Sequence, residues 1–226
     1  MNTMIKVARY HLTTPVLFAG LPWAALAVVF AWNLARGGDN RGGGLAILFL
    51  LFFVTGVRRI GRWLPFGLAL GATRRSFYAG TALLGVSMSL VSGLVLAVLQ
   101  AIERATGGWG QSITFFRVPY ILNGPWYTTW LTSCVGLAAL FVYGMWYGIV
   151  NRRWGTLGLL AFIAVQVLVA LAVTFAYSRA GAGPLRLRPA GAYPATLSAL
   201  ELTGVIAALT VVCLAGGQAT IRRVTV

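Results

Sequence analysis

One histidine, one lysine, three acids and two cysteines are nearly all that this 226-residue chain offers for general-base, thiolate or metal chemistry. A zinc site draws three or four His, Cys or acidic ligands together, and the sequence can barely supply them. A serine or cysteine nucleophile needs a base beside it. Only His11 is on offer, and it lies far in sequence from any acid. The sole lysine, Lys6, is not preceded by a glycine-rich loop, so a phosphate loop ending in Gly-Lys-Ser/Thr is excluded. Cys134 and Cys213 stand inside apolar runs without metal-ligand spacing and read as small buried apolar residues. The expectation is a chain that is not an enzyme, with no catalytic residue, no metal and no cofactor of its own.

Two acids invite a closer reading. Glu201 stands about one and a half turns into the sixth span predicted below, 196–217, near its outer end, and Glu103 ends the third span. An ionisable group at such depth is costly unless it meets water or a partner. Either both are structural, paired with Arg104, Arg186 or Arg188, or they belong to an outer gate or substrate path.

The elements that must hold these residues follow from composition. The chain is 59% hydrophobic and 9% charged, against about 25% charged in an ordinary soluble domain. So few charges cannot cover a compact core with polar surface. The solvent is therefore lipid, and the fold class is all-α and polytopic, one transmembrane domain over residues 1–226. The uncharged runs are 12–35, 42–57, 76–102, 118–151, 154–178 and 202–221. A helix needs roughly 20 apolar residues to cross the hydrocarbon, which predicts six spans near 14–35, 43–62, 77–101, 129–150, 155–177 and 196–217. The second is short, so Arg58 and Arg59 are expected to snorkel from its end to the headgroups. The run 12–35 is too long for a cleaved signal core and is read as retained.

Net charge is +15, carried by seventeen arginines and Lys6. These residues flank every apolar run instead of forming one patch, which points to membrane lipid and away from nucleic acid as the partner. With the N-terminus inside, eleven basic residues fall on the cytoplasmic side and seven outside. The dense groups 58–62, 74–75, 152–153 and 222–223 all fall inside, so both termini are placed in the cytoplasm of a multi-pass plasma-membrane protein.

Residues 1–13 alternate polar and apolar faces at helical spacing and predict an amphipathic helix on the inner membrane surface. After the second span, Pro65 suits a helix start and Gly71 a helix end, predicting a separate short helix over 64–75 with an apolar face of Leu64, Phe66, Leu68 and Leu70. The outer segment 105–130 holds Trp109, Phe115, Phe116, Tyr120, Trp126, Tyr127 and Trp130, read as anchors at headgroup level. A second outer segment, 179–195, is rich in Gly and Pro. Small residues in the third span (Gly80, Gly85, Ser87, Ser89, Ser92 and Gly93) allow close helix packing.

Taken in order, four stretches resemble the small six-span permease subunits of type-2 ABC transporters from high-GC Gram-positive bacteria. They are Met1 to Leu12, Leu64-Pro-Phe-Gly-Leu-Ala-Leu-Gly-Ala-Thr-Arg-Arg-Ser-Phe-Tyr78, Pro125-Trp-Tyr, and Tyr147-Gly-Ile-Val-Asn-Arg-Arg-Trp-Gly155. The resemblance implies a permease that pairs with a second copy or a paralogous permease and with two separate ABC ATPase subunits, which bind ATP and Mg. It also implies that 64–75 is a coupling helix docking on the ATPase through Leu64, Pro65, Phe66, Leu68, Ala69, Ala72, Thr73, Arg74 and Arg75. The sparse polar groups of the spans favour export of an amphipathic or lipid-like compound. The alternatives are a non-transporting anchor or sensor subunit and a membrane-embedded enzyme. Leu214-Ala-Gly-Gly-Gln218 is close to the signature peptide of ABC ATPases, but that peptide works beside a phosphate loop. Here its glycines are read as packing or ending a helix.

Overall fold

The computed structural model describes residues 20–36, 43–112, 114–118, 122, 124–179 and 198–221. The expected surface helix 1–13, His11, Arg186, Arg188 and the pair Arg222–Arg223 lie outside the described residues.

The described chain is all α: α1 (Leu21–Arg36), α2 (Ala46–Ala69), α3 (Arg74–Ala105), α4 (Trp126–Arg179) and α5 (Ala199–Ile221). At 54 residues, α4 would be about 80 Å long if straight. It is not straight. Gly155 has φ 65° and ψ −163°, a conformation open essentially to glycine alone, and it divides α4 into a first limb, 126–154, and a second, 156–179. The limbs fold back on one another, with Trp146 stacked on Phe162 and Tyr147 edge-on to the same ring. Three helical stretches, Arg74–Ala105, Trp126–Ala172 and Ala199–Ile221, are long and apolar enough to cross a membrane. α1 is apolar but shorter, and α2 carries Arg58, Arg59 and Arg62 in its second half.

Contacts fix the directions. Phe49 meets Gly136 and Ile60 meets Gly148, so α2 runs parallel to the first limb of α4. Phe141 meets Gly85 and Cys134 meets Gly93, so α3 runs against it. Thr132 bonds Thr203 and Trp146 bonds the Cys213 carbonyl, so α5 runs with it. From α2 onward, successive helical segments therefore alternate in direction.

Lipid gives helices no hydrophobic reason to associate, so backbone approach at small residues has to supply the packing. A Cβ on Gly56 would lie 2.2 Å from the Phe141 carbonyl oxygen, and one on Gly144 would lie 2.1 Å from that of Phe53. Gly144 and Gly148 form a Gly-x-x-x-Gly pair against α2. In α3, Gly80, Gly85, Ser89, Ser92 and Gly93 are buried on one stripe, as expected, whereas Ser87 faces out. Polar side chains within the helices turn back to their own backbone: Thr55, Thr81, Ser89, Thr210 and Thr220 each donate to the carbonyl four residues earlier. A hydroxyl satisfied in this way does not need water.

Candidate functional site

One end of the bundle is basic. The Gly61–Arg152 bonds, the packing of Phe77 on Gly67, and the Tyr78 bond to the Leu214 carbonyl at 3.1 Å bring the ends of α2, α3, the first limb of α4 and α5 together. Arg58, Arg62, Arg75, Arg152 and Arg153 are exposed there, with the Arg153 guanidinium 4.5 Å above the Trp154 ring. Arg59 does not snorkel: it is 1% exposed and turned into the bundle.

The separate helix expected over 64–75 is not a separate element. α2 runs without interruption through Pro65 to Ala69. Proline removes only one helical bond, that from its own nitrogen to the carbonyl of residue 61. Arg152 supplies that bond instead, donating from Nε and Nη2 at 3.0 and 2.8 Å. The end is as expected. Gly71, at φ 81°, closes the helix with Gly71 N–H on Leu68 O and Ala72 N–H on Gly67 O, the paired bonds of a Schellman turn. Thr73 then caps α3, its Oγ1 accepting from the Ser76 N–H at 3.1 Å.

Nor do Leu64, Phe66, Leu68 and Leu70 make one face, because two-residue steps on a helix fall on opposite sides. Leu64 is buried, Pro65 and Leu68 are half-buried, and Phe66 and Leu70 are exposed. Of the remaining expected docking residues, Ala69, Thr73 and Arg75 are exposed while Ala72 and Arg74 are half-buried. What projects from this end is the turn Ala69–Thr73 with Phe66 behind it.

The opposite end is aromatic. Glu103 is buried at 1% exposure, and its Oε2 accepts from the Phe116 N–H at 2.7 Å, the Phe115 N–H at 3.1 Å and the Trp109 indole at 3.3 Å. Its other oxygen, Oε1, has no hydrogen-bond partner among the described residues. The expected partner Arg104 bonds the Gly124 carbonyl at 2.7 Å instead, and buried Gln100 donates to the Leu122 carbonyl. Three side chains at the end of α3 thus pin the following segment. The chain reaches Glu103 through four consecutive left-handed residues, Gly107 to Gly110. Phe115 and Phe116 are buried against Phe30 of α1, so they are core and not headgroup anchors. Trp126 and Tyr127 keep the exposure an anchor requires.

Glu201 is not deep in a span. It lies in the first turn of α5 and is exposed, accepting from the Ser198 N–H at 2.7 Å while Ser198 Oγ accepts from the Glu201 N–H at 3.2 Å. This is a capping box, legible as Ser198-Ala-Leu-Glu201 once the helix start is moved there. Glu103 and Glu201 therefore hold two different local structures. The glycines of Leu214–Gln218 pack: a Cβ on Gly216 would lie 2.8 Å from the Trp146 ring, and one on Gly217 would lie 2.3 Å from the Tyr78 hydroxyl.

Sequence reasoning missed a third group, midway between the ends. Tyr143 and Tyr147 both donate to Gln166 Oε1, the latter at 2.8 Å, and Phe53 lies 5.2 Å from the Tyr147 ring. The signal was present, since Gln166 is the only amide in the run 154–178. Among the described residues no three His, Cys, Asp or Glu side chains come together. No family model, curated protein or solved structure matches this chain.

Proposed function

We propose that this chain is the permease subunit of an ATP-driven ABC transporter, working as one of two permease halves on separate ATPase subunits that bind ATP and Mg, and exporting an amphipathic or lipid-like compound. In this reading it crosses a bacterial plasma membrane six times, with the basic end and both termini in the cytoplasm. The observation that carries the reading is the basic end, where an exposed turn, Ala69–Thr73, stands among Arg58, Arg62, Arg75, Arg152 and Arg153. That arrangement suits a rigid bundle driven from its cytoplasmic end. Alternating helix directions and six helical segments among the described residues support the span count.

The test is co-purification. ATPase subunits encoded beside this chain should pull down with it and hydrolyse ATP in the assembled complex, while the chain alone does not. Ala69→Asp or Ala72→Asp should leave membrane insertion intact and lose docking and transport-linked hydrolysis together. Undiminished docking in both variants would overturn this placement of the coupling surface. A stable chain with no nucleotide-binding partner would favour an anchor or sensor subunit instead.

A further inference from the structure

The group at Tyr143, Tyr147 and Gln166 is at an unusual depth. Gln166 stands eleven residues beyond the Gly155 reversal and Tyr143 twelve before it, about 16 and 18 Å along their helices. With Arg152 and Arg153 at headgroup level, that is about the midplane of a hydrocarbon layer roughly 30 Å thick. Polar side chains at this depth normally face the bundle interior. Gln166 faces the first limb but only from the edge of the seam between the limbs: it is half-buried, and its neighbours Ile163, Val165, Val167, Leu168 and Val169 are all exposed.

Its carboxamide is held in place. Two phenols donate to Oε1, so the other branch of the planar amide, Nε2, points away from them, and no described residue accepts from it. A primary amide donor in hydrocarbon costs several kcal/mol without an acceptor. Beside the group, Phe53 and Phe162 pack edge-on to the Tyr147 ring and Trp146 stacks on Phe162. Among the described residues no acidic or basic side chain shares the group, so it discriminates by hydrogen bonding and shape.

We infer that Tyr143, Tyr147 and Gln166 form a lipid-accessible site for the polar oxygen of an uncharged lipid. The ligand carries a carbonyl or ester oxygen on an apolar body, and the oxygen accepts from Gln166 Nε2. Such a molecule can leave the headgroup layer and enter sideways, whereas a phospholipid headgroup is held at the surface by its charge. The inference rests on the reading of the chain as a carrier of a lipid-like compound, and it names the chemistry that the carrier would select.

The experiment uses the purified full chain in phosphatidylcholine nanodiscs without any ATPase. Two photoreactive probes are compared: a diacylglycerol with a diazirine in one acyl chain, and a diazirine alkane with no oxygen. The diacylglycerol should label the peptides spanning 143–147 and 162–166. Gln166→Leu should lower that labelling about fivefold, the equilibrium weight of one hydrogen bond, and leave alkane labelling unchanged. Tyr143→Phe with Tyr147→Phe, which keeps both rings and frees the amide, should lower it likewise and carries the test if Gln166→Leu misfolds. Diacylglycerol labelling indifferent to these changes would overturn the proposal. So would efficient Gln166→Cys cross-linking between copies, which would mean a second copy covers the amide. A missing ATPase partner would defeat the transporter reading alone, because the labelling does not involve one.

Discussion

Arg152 stands in for the backbone donor that Pro65 lacks: its guanidinium takes the Gly61 carbonyl twice, at 3.0 and 2.8 Å. A proline that would end most helices therefore lies inside α2, and the basic end of α2 is tied to the first limb of α4. In the Pro65→Ala background the helix regains its own N–H, and the tie becomes redundant. Arg152→Ala should cost about 1 kcal/mol in the parent, a fall of roughly 2–4 °C in melting temperature for a chain of this size. It should cost much less beside Pro65→Ala. Equal losses in both backgrounds, measured in one detergent, would refute the link.

The α2–α4 contact predicts a sharp contrast among glycines. Gly56→Ala and Gly144→Ala drive a methyl into a facing backbone carbonyl, and overpacking of that kind costs about 1–3 kcal/mol. A Cβ on Gly204 meets nothing within 4 Å, so Gly204→Ala should be neutral or stabilise by about 0.5–1 kcal/mol through helix propensity. Thermal unfolding of the three variants decides it, and a fall for Gly204→Ala equal to the others would show that backbone proximity is not the cause.

Glu103 should govern the order of the segment after α3. Glu103→Ala strands two buried backbone N–H groups, a loss of about 3 kcal/mol, while Glu103→Gln keeps an acceptor oxygen and should lose about a third of that. Hydrogen exchange at Phe115 and Phe116 is the readout, with protection lost in Glu103→Ala and largely kept in Glu103→Gln. Unchanged protection in Glu103→Ala would mean the aromatic packing suffices alone.

Gly155→Ala meets open space yet should still be harmful, because the position has φ 65° and ψ −163°. Strain there is on the order of 1–3 kcal/mol, and its effect should be directional: the two limbs separate. A disulfide engineered between Trp146→Cys and Phe162→Cys should then form more slowly in Gly155→Ala than in its parent. Equal rates would show that the reversal tolerates a side chain.

Side-chain chemistry alone made part of this protein legible. Apolar runs broken by arginine dictate helices, because a lipid-facing backbone must satisfy its own hydrogen bonds. The glycine at 71 dictates an end, because its αL conformation closes two carbonyls at once. The small-residue stripe of α3 was readable for the same local reason, since one helix face repeats every three or four residues. What needed the tertiary structure was every property set by a partner distant in sequence. Pro65 does not start a helix, because Arg152 arrives from 91 residues away to satisfy Gly61. Phe115 and Phe116 do not anchor in headgroups, because Phe30 and the Glu103 carboxylate draw them inward. Gln166 gains its meaning only when Gly155 folds the second limb onto the first and places two phenols on one amide oxygen. Local patterns specify helices and their ends, whereas which polar groups meet depends on how the helices pack.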